Sequence, residues 1–324
     1  MTTVLITRPF KETDLSRFSS FEGKCRFLYD AAPSRDILLQ ADVILGQPVP
    51  DSLKDLPDLK WVQITSAGAN NYTDRKELFG NGLKLTCLSG AFGQSISEFV
   101  LTMTLMLYKN MQLYRDNQNQ SLWKDEGPQE TPVGKNLLIL GAGNIGSEIA
   151  KLFRPFRTHI TGMRRVVREI PENFDEMITS DGLDEALPKA DIIACALPET
   201  PETIKMLDER RLSLMKPSAI LINVGRGTLI DTDAVLKALR ENRLFGAALD
   251  VTDPEPLPAD HPLWQEKKAI ITPHTTGGSF GHLKATEEVL FDICQKNLQR
   301  YLEGEPLLNL VDPETGYRVV ENRY

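Results

Sequence analysis

Four polar side chains stand where apolar runs give way to loops rich in glycine or proline. Arg226 lies between two glycines in LINVGRGTLID, where a long cation is poorly placed for ordinary surface solvation. Asp250 ends the apolar run GAALD, and Glu255 follows between two prolines in DPEPLP. His274 lies between Pro273 and a Thr-Thr-Gly-Gly loop, directly after the run AIIT. Open α/β sheets place their ligand crevice at the carboxyl ends of the strands, so all four residues fall there. A cation to bind an anionic group and an imidazole to move a proton suit acid–base chemistry on a small anion. The other three histidines lack this company: His159 is inside a strand pattern, His261 precedes Pro262, and His282 follows a Gly-rich turn. They read as structural or surface groups. No H-E-x-x-H, Cys/His cluster or G-x-S-x-G elbow occurs, so neither a metal nor a nucleophilic serine is expected.

The sharpest local signal is LLILGAGNIGSEIAKLF, in which Gly141, Gly143 and Gly146 follow a strand pattern and open a helix. The first glycine permits a tight turn, and the second lets the backbone approach a pyrophosphate. The third lets helix and sheet pack closely, with Asn144 and Ile145 opening the helix whose N-terminus faces the phosphates. About twenty positions on, an NAD-binding chain carries an acidic residue for the ribose hydroxyls. This chain has Arg164 and Arg165 there, a guanidinium pair suited to a 2′-phosphate, so NADP is favoured over NAD.

The positioning elements follow from alternating strand and helix patterns along the whole chain, the mark of parallel sheets. Strands are expected at Thr3 to Thr7, Cys25 to Tyr29, Asp42 to Gly46, Trp61 to Thr65 and Leu83 to Leu88, forming a small doubly wound domain. Ser95 and Glu98 suggest a capping box for a long helix through the apolar run Phe99 to Tyr108. Six further strands, at 137–140, 158–162, 191–197, 219–224, 246–250 and 269–272, suit a dinucleotide fold. A last helix from about Leu283 to Tyr301 is expected to return to the first domain. The boundaries that follow are 1–98 and 287–324 for the substrate-binding domain and 99–286 for the dinucleotide-binding domain.

The chain has 324 residues, enough for roughly two domains. Its 37 basic and 45 acidic residues leave a net charge of −8, which argues against nucleic acid or anionic lipid as a partner. The run from Phe99 to Tyr108 is about half of a membrane span. MTTVLITRPFKETD does not read as a secretory leader, so a cytoplasmic location is expected. Cys25, Cys87, Cys195 and Cys294 are far apart and read as buried free thiols.

Taken in order, GAGNIG, LPETPET, NVGRGTLID, ALDVTDPEPLP and TPHTTGG resemble the D-isomer-specific 2-hydroxyacid dehydrogenase family. DVTDPEPLP followed by HPL is similar to its glyoxylate and hydroxypyruvate reductases. The resemblance implies two doubly wound parallel-sheet domains, a Rossmann dinucleotide-binding domain inserted in a smaller flavodoxin-like substrate domain. It implies that Arg226 binds the substrate carboxylate and polarises the keto oxygen, that His274 protonates that oxygen, and that Glu255 orients His274 and favours its imidazolium. Ser66, Ala67 and Gly68 match the family's Ser-x-Gly loop, whose N–H groups would complete the carboxylate site. Asp250 would hold the nicotinamide carboxamide, while Leu197, Pro198 and Gly277 would line the cofactor. The chain departs just after the histidine, where many members carry an aliphatic residue and this one has Thr275 and Thr276. A homodimer formed through Tyr108 to Gln120 is the expected assembly.

Hydride transfer to a 2-keto acid needs a cation, a proton donor and a dry wall, and these motifs can supply them. The leading expectation is an NADP-preferring reductase of small 2-keto acids. A nucleotide-sensing, corepressor-like binding protein on the same fold is the alternative. A formate dehydrogenase needs no proton donor, and that branch lacks a glutamate at this position, so Glu255 argues against it. Tyr72, Phe92 and Trp264 are candidates for contact with the substrate's R group, or for packing.

Overall fold

Short apolar runs form parallel strands in both parts of the chain because the central strands are covered on both faces and need no polar alternation. The computed structural model describes residues 1–167, 169–278, 280, 282–316 and 318–319. It divides into one unit of Met1–Phe92 with Gly278–Tyr324, and a second of Gly93–Gly277.

The first unit holds β1 (Thr2–Ile6), β2 (Cys25–Tyr29), β3 (Val43–Leu45), β4 (Trp61–Gln63) and β5 (Lys84–Thr86). They are parallel, in the order β2-β1-β3-β4-β5, the flavodoxin-like arrangement. Val4, Leu5, Ile6, Val43, Ile44 and Leu45 are fully buried. The helix Lys284–Glu303 belongs to this unit, ending at Gly304, whose φ of 73° provides the left-handed cap. A buried polar network ties this late helix to the early strands. Asn297 Nδ2 donates to Gln63 Oε1 at 2.8 Å and to the Leu308 carbonyl at 3.0 Å. Asn297 Oδ1 accepts from Leu308 N at 2.7 Å, and Thr86 Oγ1 donates to Gln63 Oε1 at 2.8 Å. An isolated bridge pairs Thr86 with Leu310.

The second unit holds β6 (Asn136–Leu140), β7 (His159–Met163), β8 (Glu176–Ile178), β9 (Ile192–Cys195), β10 (Ile220–Asn223), β11 (Gly246–Leu249) and β12 (Ala269–Ile271). Their order is β12-β11-β10-β9-β6-β7-β8, all parallel. Strand order reverses between β6 and β9, the switch point at which such folds bind dinucleotides.

Three expectations need correction. The sheet has seven strands, not six, because β8 is a three-residue edge strand with an exposed glutamate and no fully buried position. The long helix spans Gly93–Tyr108, so Ser95 is inside its first turn and does not cap it. Its hydroxyl instead donates to the Thr276 carbonyl at 2.7 Å. The unit boundaries fall at Gly93 and Gly277 rather than at 99 and 286, because this continuous helix belongs wholly to the second unit. All four cysteines are buried free thiols. No helix among the described residues is long and apolar enough to cross a membrane.

Candidate active site

At the switch point, each glycine of the loop after β6 has a distinct steric reason. Gly141 takes a φ of 106°, and a Cβ there would come 2.7 Å from the Ala196 carbonyl oxygen. A Cβ on Gly146 would come 2.3 Å from the Gly141 carbonyl oxygen, so no other residue lets the helix Asn144–Phe153 lie so close to the turn. Gly143 is the N-cap, and a Cβ there would meet nothing within 4 Å among the described residues. It is also solvent-exposed, leaving an open backbone surface at a helix start with no side-chain cap. A pyrophosphate fits such a place: unpaired N–H groups and the helix dipole both favour negative charge. Asn144 and Ile145, both half-buried, form the first turn. The backbone leading into Leu197 and Pro198 is squeezed from the other side as well, since a Cβ on Gly225 would come 2.6 Å from the Leu197 carbonyl oxygen.

Arg164 follows β7, with its backbone N–H on the Ile178 carbonyl at 3.0 Å. Its Nε donates to the Ala142 carbonyl inside the glycine loop. Arg165 is exposed, and its charge acts on Glu202, which Thr200, its own backbone N–H and Arg165 together hold below the usual carboxylate range. Both arginines follow directly on the end of β7.

Arg226 leaves the end of β10 through a turn that Asn223 shapes. Fully buried Asn223 accepts Gly225 N at 3.1 Å and donates to the Arg226 carbonyl at 2.9 Å. Sequence reasoning missed this residue, although a polar side chain ending an apolar strand was the available signal. A Cβ on Gly227 would come 1.8 Å from the Thr252 carbonyl oxygen, so this turn interlocks with the loop after β11. Burial pulls the Arg226 guanidinium below its ordinary value, while the Glu199 and Glu255 carboxylates pull it back. Glu199 is held by Thr228 Oγ1 at 2.6 Å.

His274 and Glu255 meet: Nδ1 and Oε1 are 2.7 Å apart. An ionised Glu255 can only accept, so Nδ1 carries the hydrogen of this bond. The ring's other nitrogen remains for chemistry. His274 has a φ of 53°, and its backbone N–H donates to the Asp250 carbonyl at 2.9 Å. By contrast, His261 is a loop cap, accepting Leu263 N at 3.1 Å on Nδ1 with Asp233 3.2 Å from Nε2.

Asp250 is buried directly after β11. Its carboxylate accepts Thr272 Oγ1 and Thr275 N on one oxygen, at 2.6 and 2.9 Å. The other oxygen accepts Thr276 N and Thr276 Oγ1, at 3.2 and 2.8 Å. Two carboxylate oxygens offer about four acceptor directions, and all are taken. Gly277, half-buried, follows this loop.

Ser66, Ala67 and Gly68 lie in the first unit, after β4. Ser66 Oγ donates to the Gly68 carbonyl at 2.7 Å, and the Ser66 carbonyl accepts Leu88 N. Gln47, another residue that the sequence did not flag, accepts both Thr65 N and Thr65 Oγ1 at 3.0 Å and braces this loop. Tyr72 is buried, with its hydroxyl on the Pro48 carbonyl at 2.6 Å, and Phe92 is buried too. Trp264 is half-exposed and donates to the Pro258 carbonyl at 2.9 Å.

The sheet order and site motifs agree with what is found among known proteins. Residues 101–276 match the model of the D-isomer specific 2-hydroxyacid dehydrogenase NAD binding domain. A glyoxylate reductase of Thermofilum pendens is 31% identical over 265 residues, covering 80% of this chain and 76% of the relative. A D-isomer specific 2-hydroxyacid dehydrogenase family protein of Aeromonas salmonicida superposes with a TM-score of 0.83 at 33% identity, covering 96% of this chain and 99% of that one. A D-isomer specific 2-hydroxyacid dehydrogenase of Xanthobacter autotrophicus, solved in complex with NADPH and MES, superposes with a TM-score of 0.82 at 26% identity, covering 98% and 99%. With a seven-stranded dinucleotide-binding sheet, the glycine turn at its switch point and sequence identity across most of its length, this chain belongs to the D-isomer specific 2-hydroxyacid dehydrogenase family.

Proposed function

We propose that the protein reduces a small 2-keto acid, such as glyoxylate or hydroxypyruvate, to the D-2-hydroxy acid, reversibly and with NADPH in preference to NADH. The observation that carries this reading is the contact between His274 and Glu255 in the unit that also presents Arg226. Relatives described as glyoxylate reductases support the substrate class, and the neighbour solved with NADPH supports the cofactor class.

In this reading Gly141, Gly143, Asn144, Ile145 and Gly146 hold the pyrophosphate, while Leu197, Pro198 and Gly277 line the rest of the cofactor. The chemistry supplied by a bound nicotinamide is two-electron reduction of the carbonyl carbon. Arg226 binds the substrate carboxylate and polarises the keto oxygen. His274 passes the proton on Nε2 to that oxygen, and in the reverse direction a neutral ring takes it back. Glu255, bound at Nδ1, fixes the orientation of the ring and leaves Nε2 to face the substrate. Purified protein tested against a panel of 2-keto acids with NADPH checks this directly. Binding of NADPH without turnover of any keto acid would favour the nucleotide-sensing alternative instead.

The cofactor preference rests on Arg164 and Arg165. Charge-assisted pairs to a 2′-phosphate are worth about 1.5 to 3 kcal/mol together at a partly exposed site, and each 1.4 kcal/mol is about tenfold. NADPH is therefore expected to exceed NADH by at least about tenfold in kcat/KM, mostly through KM, because the phosphate is remote from the reacting carbon. Arg164→Ala also removes the contact with Ala142, so Arg165→Ala is the cleaner single variant. Arg165→Ala should lower NADPH efficiency and leave NADH nearly unchanged, whereas replacing both arginines should lower NADPH efficiency further. A double variant that keeps its preference would assign the arginines to a solvated turn.

The homodimer is proposed through the surface that follows the long helix. In and just beyond the segment Tyr108 to Gln120, Met111, Leu122 and Trp123 are exposed, and Trp123 is not covered at all in the single chain. An apolar group of this kind marks an association surface. Light scattering should give the mass of two chains, and Trp123→Asp should shift it towards one.

A further inference from the structure

We propose that Glu199 is a specificity-determining residue: its carboxylate, fixed against the turn that carries Arg226, turns away 2-keto acids that bear a second carboxylate. The proposal rests on the reading of Arg226 as the cation that binds the substrate carboxylate. In the sheet, β10 lies between β9 and β11. Arg226 follows β10, Glu199 lies in the loop after β9, and Glu255 lies in the loop after β11. Each neighbouring strand end thus supplies one carboxylate whose charge reaches the arginine. Glu255 already has a partner in His274, at 2.7 Å. Glu199 has no part in the transfer of hydride or proton, so its place beside an anion-binding cation needs another reason.

The carboxylate is held in place from several directions. Glu199 is half-buried, and its Oε2 accepts Thr228 Oγ1 at 2.6 Å, two residues past Arg226. The two loops are laced together beside this bond: Lys205 N donates to the Thr228 carbonyl at 2.7 Å, and Leu207 N to the Leu229 carbonyl at 3.0 Å. Thr203 Oγ1 donates to the Pro198 carbonyl and accepts Thr200 N, both at 2.8 Å, so the backbone on either side of Glu199 is fixed as well. A fixed negative charge here opposes every anion that Arg226 attracts, and affinity gains nothing from it. Discrimination does gain, because specificity is often built from repulsion. With His274 protonated for reduction, the charges of Arg226, His274, Glu199 and Glu255 sum to zero. One substrate carboxylate leaves a single negative charge, and two leave a pair of them at a half-buried place where screening is weak.

The test compares kcat/KM for oxaloacetate, which has two carboxylates, with that for 2-oxobutyrate, in which a methyl group replaces the second one. Wild type should favour 2-oxobutyrate by at least about tenfold, the size of effect that one charge exerts at a partly buried site. Glu199→Gln keeps an oxygen for the Thr228 hydroxyl and removes only the charge, so it should raise the ratio of oxaloacetate to 2-oxobutyrate by about tenfold. Glu199→Ala, a second way of removing the charge, should shift the ratio as far, and Glu199→Asp, which keeps the charge, should leave it near that of wild type. A merely structural residue would lower both substrates alike and leave the ratio where it was. An unmoved ratio in Glu199→Gln or Glu199→Ala would therefore overturn the proposal. Wild type that reduces oxaloacetate as efficiently as 2-oxobutyrate would overturn it without any variant. Absence of turnover with every keto acid in wild type would overturn the reading of the reaction itself, whereas turnover with an unmoved ratio overturns the role of Glu199 alone.

Discussion

Arg226→Ala is expected to lower kcat/KM for glyoxylate or hydroxypyruvate by about 10² to 10⁴-fold while the circular dichroism spectrum stays that of a folded protein. Each charge-assisted hydrogen bond to a carboxylate is worth about 1.5 to 3 kcal/mol, and a guanidinium fork makes two. Local charge adds to the loss. The guanidinium is balanced by Glu199 and Glu255, so its removal leaves two carboxylates to repel an anionic substrate. Arg226→Lys should recover only part of the activity, since a point charge lacks the planar fork. The fold should survive because the side-chain contact is with the neighbouring Gly225 carbonyl, at 2.7 Å, and the turn is shaped by Asn223. Near wild-type rates in a folded Arg226→Ala protein would remove Arg226 from the site.

His274→Asn should cost about 10² to 10⁴-fold in kcat, the range in which general acids contribute. Asparagine is chosen because it is among the few residues that tolerate a left-handed backbone, so the φ of 53° need not change. The substrate KM should move much less than kcat, because Arg226 still binds the carboxylate. Glu255→Gln keeps the shape of the Nδ1 partner but removes its charge, and should give a smaller loss than His274→Asn. Steady-state kinetics of the three proteins decide the matter: equal kcat in wild type and His274→Asn would exclude the imidazole as proton donor.

The glycine turn was legible because its requirement is steric and local: Gly141 and Gly146 touch backbone atoms that no side chain could approach. The core strands were legible for a related reason, since strands covered on both faces must be apolar throughout. β8 was not, because an edge strand of three residues with an exposed end carries no such run. Ser95 was misread because serine followed three residues later by glutamate has the form of a cap, yet its hydroxyl serves a carbonyl 181 residues away. Asp250 shows the same limit: its place at a strand end was visible, but the number of donors on its oxygens depends on how Thr272 to Thr276 fold back over it. Asn223 and Gln47 escaped notice because they brace turns, and such bracing depends on which loops become neighbours.

The contact of Asn297 with Gln63 has a consequence for the birth of the molecule. A ribosome releases all five strands of the first sheet before the middle of the chain exists, but the helix that satisfies their buried amide arrives roughly 200 residues later. At about 5 to 20 residues per second, that delay is on the order of 10 to 40 s. The contiguous Gly93–Gly277 segment can fold as it emerges, while in the earlier strands Gln63 still lacks Asn297 and Thr86 its bridge to Leu310. The nascent chain therefore passes through a long interval in which its oldest part is the unfinished one, and in which chaperones have an apolar sheet to guard.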